Sequence, residues 1–177
     1  GQSFTELSVE RLASEAGVSR ATFYVYFEDK GDLLRAWLDD IVSEVTEAAR
    51  DWWALPPGAT KAELRLVLDR IVRTYRPHTV LMSAVFGAAT YDAGIQADVE
   101  RFIRRNIAGL RRHIVDGQAA GSIDPGLRPR ETAAWLTWMA ERGLHLMVSA
   151  ASDVELDGLI DAYTDIIWNT LYAPAGR

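Results

Sequence analysis

The chain has 177 residues, among them three histidines (His78, His113 and His145) and no cysteine. Without thiols there are no disulfides, thiolate metal sites, iron–sulfur clusters or cysteine nucleophiles. The histidines are far apart in sequence and no His-Glu-x-x-His spacing occurs, so neither a metal site nor a cofactor is expected. Proton-transfer groups exist in Asp39-Asp40 and in Glu141 with His145, but no nucleophile, metal set or phosphate loop accompanies them. Glu141 and His145 are spaced i to i+4, which predicts a pair on a helix surface rather than a catalytic couple. An all-α enzyme is thus the weakest of the functional readings.

Recognition chemistry is better represented. Residues 8–27 read Ser-Val-Glu-Arg-Leu-Ala-Ser-Glu-Ala-Gly-Val-Ser-Arg-Ala-Thr-Phe-Tyr-Val-Tyr-Phe. Val9, Leu12 and Ala13 share one face of a short helix that ends at Ala16. Gly17 supplies the left-handed position that a sharp turn needs. Val18 plugs the turn, Ser19 caps a second short helix, and Phe23 and Phe27 line its inner face. Two helices joined by a short glycine turn make a helix-turn-helix unit, whose second helix enters the DNA major groove. Arg20, Ala21, Thr22, Tyr24, Val25 and Tyr26 remain facing outward. Together they offer phosphate donors, a small apolar patch and a base reader, with no carboxylate among them.

The elements that must position these residues are helical throughout, since no alternating strand pattern or hairpin dipeptide occurs. The spacing predicts helices over 9–16, 20–27, 30–51, 61–75, 77–88, 96–119, 130–150 and 153–172, an all-α fold. Ser8, Ser19 and Asp29 stand at N-cap positions, and Thr60-Lys-Ala-Glu63 and Ser152-Asp-Val-Glu155 are capping boxes. Pro77 and Pro129 suit first turns, while Pro56-Pro57-Gly58 and residues 121–126 are breaks. The net charge of −6 and pI of about 5.1 exclude a generally basic nucleic-acid coat but leave room for a local one. The longest nearly apolar run, Val80 to Tyr91, is too short and too polar to span a bilayer. No secretory signal pattern opens the sequence, so a soluble, cytoplasmic protein with no membrane partner is expected.

Leu12-Ala13, Ala16-Gly17-Val18-Ser19, Thr22-Phe23-Tyr24 and Tyr26-Phe27, followed by Lys30 and Leu33-Leu34, resemble the DNA-binding head of the TetR family of bacterial transcriptional regulators. The resemblance is specific over residues 5–38; beyond residue 50 it rests on the count and order of helices. Trp138-Met-Ala-Glu-Arg142 and Trp168 resemble the EthR-like branch. The resemblance implies that Ser8, Ser19, Arg20, Ala21, Thr22, Tyr24, Tyr26 and Lys30 contact an operator. It also implies a homodimer built by the last two helices. Members of the family carry one more helix before this point, and Gly1-Gln-Ser-Phe4 corresponds to the linker after it. The first helix is therefore expected to be missing, leaving Leu7, Phe23 and Leu34 under-covered.

Beyond the head the apolar stripes widen. On the 96–119 helix, Asn106 and His113 lie within an otherwise apolar face. Each is either a satisfied core hydrogen bond or a polar handle on a ligand. On the 130–150 helix, apolar residues fill over half the circumference, which requires partners on two sides. Ala140, Gly143, Leu144 and Met147 there, with Leu159, Tyr163, Ile166 and Ile167 of the last helix, are the expected dimer face. Trp52, Trp53 and Trp135 join a large aromatic and thioether inventory. From it Met82, Phe86, Tyr91, Phe102, Trp138, Met139 and Trp168, with Asn106 and Arg142, are expected to line a mainly apolar ligand cavity, with Thr137 and His113 as further donors. The expected organisation is a head over 1–38 and a ligand-binding, dimerisation body over 39–177. The expected function is a ligand-responsive regulator, acting as a repressor on a near-palindromic double-stranded operator and released by a small apolar or aromatic effector. The alternative is a regulator-like module that has lost DNA binding and works through ligand or protein contacts.

Overall fold

The structure, a computed structural model, describes residues 7–172. Within them lie eight α-helices: α1 (Val9–Glu15), α2 (Arg20–Tyr26), α3 (Lys30–Trp53), α4 (Lys61–Tyr75), α5 (Thr79–Ala88), α6 (Ala93–Ala119), α7 (Pro129–Gly143) and α8 (Asp153–Leu171). A 3-10 turn, Arg76–His78, leads into α5, and a π-turn, Leu144–Val148, continues α7. No strand occurs among the described residues, and none of their helices is long and apolar enough to cross a membrane. The linker reading of Gly1-Gln-Ser-Phe4 lies outside the described residues.

Most helices begin where a side chain satisfies an orphan amide. Ser8 accepts from the Arg11 N–H, Ser19 from Thr22 and Asp29 from Asp32, at 3.3, 3.0 and 2.8 Å. Thr60 with Glu63 and Ser152 with Glu155 close reciprocal capping boxes. Two bounds differ from the sequence expectation by three residues or more. α6 starts at Ala93 instead of 96, because the Asp92 carboxylate takes the Gly94 and Ile95 amides at 2.8 and 3.0 Å. The helix expected over 130–150 stays α-helical only to Gly143, then widens into the π-turn. Between α1 and α2, Gly17 adopts φ +68° and the Val18 amide closes on the Ala13 carbonyl at 2.9 Å. A residue with a Cβ is strained at that φ.

Three apolar clusters organise the molecule. Ala13, Phe23 and Leu33 form the head's core, flanked by Val9, Leu12 and Phe27. The nearer body cluster gathers Leu34, Leu38, Ile41, Val42 and Val45 of α3 with residues of α4, α5, α6, the π-turn and α8. The distal one joins Ala48, Ala49 and Trp52 of α3 to α4, α6, α7 and α8. Helix α3 therefore contributes to all three. The expected under-coverage is not found at two of the three residues: Phe23 is 6% and Leu34 0% exposed, because the head core covers one and the body covers the other. Leu7 is half-buried.

Helices α4 and α8 are registered by an antiparallel ladder of ion pairs. Lys61 meets Asp165, Arg65 meets Asp161 and Arg73 meets Asp157, at 2.7, 2.6 and 2.7 Å, and Arg76 meets Asp153. Such exposed pairs add little stability each but fix which turn faces which.

At the distal end a polar relay crosses the core. The Trp52 indole N–H donates to the Tyr172 hydroxyl at 3.0 Å, and that hydroxyl lies 2.6 Å from His113 Nε2. His113 Nδ1 lies 3.1 Å from the Trp53 carbonyl, which can only accept, so Nδ1 carries the proton and Nε2 accepts from Tyr172. His113 thus follows the core reading. Burial lowers its pKa from the ordinary 6.5, more than the bond to Trp53 raises it, and pushes Tyr172 up to about 12. Burial, then Arg142, also lowers the pKa of His145. Below an unfolded-state pKa near 6.5 the unfolded chain binds more protons at these sites than the folded one. Their full stability is present above that pH and is lost as pH falls. The thermal midpoint should therefore drop between about pH 7.5 and about 5.5. Tyr172→Phe should cost about 1–3 kcal/mol at neutral pH by stranding two partners, as thermal melts can check.

Candidate nucleic-acid interface and ligand cavity

The α1–α2 unit presents α2 on its outer side. Tyr24, Val25 and Tyr26 are 46, 75 and 72% exposed, and Ala21 and Thr22 lie open beside them. Ser8 and Ser19 face solvent while capping, and the Thr22 hydroxyl lies 2.8 Å from that of Ser19. Arg20 is engaged twice within the head. Its guanidinium meets Glu10 at 2.6 Å and sits 5.5 Å above the Tyr24 ring. Tyr24 first and Glu10 second hold its pKa above the ordinary value. Lys30 is half-buried, and its ammonium donates to the Leu7 carbonyl at 3.2 Å, tying the entry to α1 onto the start of α3. The expected DNA-contact residues therefore share one region, with Arg20 and Lys30 carrying internal partners that the sequence did not reveal.

That region is braced from the body. Arg35 of α3 reaches Asp92, the cap of α6, at 3.9 Å, and the position of a Cβ on Gly31 would lie 3.3 Å from the Asp92 carboxylate. The start of α6 thus abuts the first turn of α3, next to the head.

Between the two body clusters lies an apolar cavity of about 80 Å³. Its walls come from α3 (Val45, Ala49, Trp52, Trp53), α4 (Ile71, Tyr75), α5 (Met82, Phe86), α6 (Phe102, Asn106), α7 (Thr137, Glu141) and α8 (Tyr163). Met82, Phe86, Phe102 and Asn106, expected as ligand contacts, line it together. Five others do not. Tyr91 is 60% exposed in the turn after α5, and Trp138 and Arg142 point outward from α7. Trp168 packs in the distal cluster near Tyr172, and Met139 lines a different cleft. The reason is common to Trp138, Met139 and Arg142: α7 has two apolar faces, and these residues lie away from the one that meets α6.

Glu141 requires a larger correction. It is 9% exposed, lines the cavity and does not pair with His145. The His145 ring instead packs against Phe86, with centroids 5.2 Å apart. The π-turn that starts at Leu144 breaks the i to i+4 relation on which the surface pairing rested. Burial raises the pKa of Glu141, partly opposed by Arg142. Its Oε1 and the hydroxyl of Tyr75 are both buried without a hydrogen-bond partner. Burial and the nearby Glu141 carboxylate also raise the pKa of Tyr75. Sequence reasoning missed both residues, although Glu141 lies four residues after the wall residue Thr137 on the same helix.

A second cleft, about 140 Å³, opens on the outer side of α7 and α8 and is lined by Gly143, Leu144, Met147, Leu159, Tyr163 and Ile166 together with Met139 and Ala140. Met147 and Ile166 are 54 and 46% exposed, so this face is unpartnered within the chain. Ile167, expected beside them, is 0% exposed and lies inside the distal cluster. It follows Ile166 by one residue, about 100° around the helix, and so belongs to the protomer's own core. No set of three or more acidic, histidine or cysteine side chains that could hold a metal occurs among the described residues.

A helix-turn-helix unit joined by one long helix to a cavity-bearing helical body defines a DNA-binding regulator architecture. Residues 2–37 match the family model of bacterial regulatory proteins, tetR family, and residues 64–173 match that of the C-terminal domain of the transcriptional regulator EthR. The chain belongs to the TetR family of bacterial transcription regulators, in its EthR-like branch, a family of regulators and not of enzymes. It is 27% identical over 140 residues to EthR of Mycobacterium tuberculosis, a match covering 78% of this chain. The chain spans 65% of that relative's length. Over 65 residues it is 34% identical to BetI of Escherichia coli, covering 36% of this chain and 33% of BetI. The fold is similar to a TetR transcription regulator from Haloarcula marismortui (TM-score 0.75, 20% identity, 95% of this chain and 89% of that one). It is also similar to PfmR from Thermus thermophilus (TM-score 0.75, 18% identity, 98% and 91%).

The buried carboxyl has a measurable consequence. A raised pKa means that the ionisation of Glu141 costs no stability in acid, and stability is lost as pH rises through the carboxyl's titration. Glu141→Gln should raise the thermal midpoint at pH 7 and leave it nearly unchanged at about pH 4, below the ordinary carboxylate value.

Proposed function

We propose that the protein is a dimeric, ligand-responsive repressor of transcription. In this reading residues 1–38 are the DNA-binding head and 39–177 the ligand-binding and dimerisation body. Helix α2 enters the major groove of a near-palindromic, double-stranded operator with Arg20, Ala21, Thr22, Tyr24 and Tyr26 at its surface, while Ser8, Ser19 and Lys30 border the phosphates. Two copies pair through the outer face of α7 and α8, which sets their α2 helices in successive major grooves, roughly 34–36 Å apart. A small, mainly apolar effector occupies the body cavity in a state whose heads are wrongly spaced for DNA. The reading needs that difference in affinity, because a ligand that binds both states equally shifts nothing.

One observation carries this proposal. Helix α3 holds Leu33 in the head core and Val45, Ala49, Trp52 and Trp53 in the cavity wall. Any displacement of the wall by an effector is applied to a rigid helix whose other end positions α2. Asp92 against Arg35 offers a second path, from α6 to the same turn.

Selection of genomic fragments on the protein, followed by salt-dependent fluorescence anisotropy, tests the DNA arm. A single enriched near-palindrome with a steep salt slope, weakened by Tyr24→Ala or Arg20→Ala, is the expected result. Weak, sequence-blind binding by a folded dimer would favour the module without DNA binding. Glu10→Gln should tighten operator binding by about two- to fivefold, because it frees Arg20 from an exposed ion pair and removes a carboxylate near phosphate. Met147→Glu with Ile166→Glu should convert the dimer to a folded monomer in sedimentation, since it places charges in an apolar interface.

A further inference from the structure

We propose that the effector of the body cavity carries a protonated amine on an apolar or aromatic frame, and that Glu141 is its counter-ion. The proposal rests on the cavity being the effector site and adds the ligand's polar chemistry.

The cavity is asymmetric in charge. Its wall includes one carboxyl group, Glu141, and no Lys, Arg or His. The adjacent cation in sequence, Arg142, is exposed on the outer face and makes no ion pair with Glu141. A carboxyl group in an apolar wall is costly unless something pairs with it. Glu141 is 9% exposed, and its Oε1 has no hydrogen-bond partner. The Tyr75 hydroxyl, on a residue 4% exposed, is also unpartnered and close enough for the Glu141 charge to act on it. Two buried polar groups, on two helices that wall the cavity, are thus left for a ligand.

The remaining polar groups favour a donor. Asn106 commits one amide N–H to the Phe102 carbonyl at 3.0 Å, which leaves its oxygen and one further N–H for a ligand. Glu141, Asn106 and Tyr75 together can accept three hydrogen bonds, and an ammonium group has three donors and no acceptor. Trp53, Phe86 and Phe102 add aromatic faces, which attract a desolvated cation. An anionic ligand would meet the opposite: a carboxylate, no cation and the ring faces. A cavity of about 80 Å³ also sets the scale. It accepts a small amine-bearing group directly, and a larger frame needs the surrounding rings to move.

The ligand-free carboxyl, with its pKa raised by burial, would be drawn back to its charged form by a bound ammonium.

Isothermal titration of the protein with three matched probes tests this: phenethylamine, phenethyl alcohol and hydrocinnamate, which share a phenyl-ethyl frame and differ in charge. Phenethylamine should bind at least about tenfold more tightly than the alcohol, with hydrocinnamate weakest. In Glu141→Gln the amine's advantage should vanish while the alcohol's affinity holds, and thermal melts verify that the variant is folded. In Arg142→Gln, which removes the outward cation, the preference should persist. The wild-type series is decisive even without the variants. Alcohol binding as tight as amine binding, no heat from the amine at millimolar concentration, or an amine preference that survives Glu141→Gln overturns the proposal. None of these readouts involves DNA. Failure of operator binding would leave the amine preference standing, and loss of the preference would leave the operator result standing.

Discussion

One helix belongs to all three apolar cores found among the described residues. At 24 residues, α3 spans about 36 Å. Leu33 sits in the head cluster and Leu34 in the body cluster, so adjacent residues of one rigid rod close two separate cores. Neither can be repositioned alone without breaking apolar contacts. The head has only a small core of its own, so its orientation follows from where α3 is held. The body holds α3 along its length, through Leu38, Ile41, Val45, Ala49 and Trp52.

The cavity borders this hold, with Val45, Ala49, Trp52 and Trp53 in its wall. It occurs between the nearer and distal body clusters, at a level where five other helices approach α3. Its aromatic wall keeps apolar surface, while Glu141 and Tyr75 keep unpaired polar atoms. In the proposed reading, an effector would fill that space and pair those atoms. Close to the site, Gly109 faces the Trp53 ring so closely that a Cβ would stand 2.5 Å from it. The position of this wall indole is set by the absence of a side chain on α6. At the other end of α6, Asp92 bears on Arg35 and the first turn of α3. The same helix thus touches the cavity and the base of the head.

Much of the fold was legible because its signals are local. Ser8, Ser19, Asp29, Thr60 and Ser152 each mark a helix start by a side-chain bond within three residues. Gly17 marks the helix-turn-helix corner by the same kind of short-range constraint. The site was less legible because apolar periodicity reports an average direction. α7 buries Ala133 and Leu136 against the protomer and presents Trp135 and Trp138 outward. Glu141 was read as a surface partner of His145 from their i to i+4 spacing, which the π-turn from Leu144 breaks, and Trp138 was assigned to the cavity from aromatic content, which carries no direction. Ile167 was misplaced for a related reason, since it adjoins Ile166 at the boundary between core and outer face. The acidic ladder on α8 was readable but unread: Asp153, Asp157, Asp161 and Asp165 recur every four residues. That period marks one face, and only the fold shows that it matches cations on α4 and the turn that follows it.

The central claim is that the state of the cavity sets the placement of the heads through α3. Because the chain has no cysteine, Val25→Cys on exposed α2 gives a single spin-label site per protomer. In the proposed dimer, pulsed electron spin resonance then reads the separation of the two heads. Thr137→Phe places a ring in the cavity wall and stands in for a ligand without any choice of one. The account predicts that this substitution shifts the separation by several ångströms from that of the operator-bound dimer, while the body remains folded and dimeric. An unchanged distance distribution in a folded dimer whose cavity is filled would contradict it.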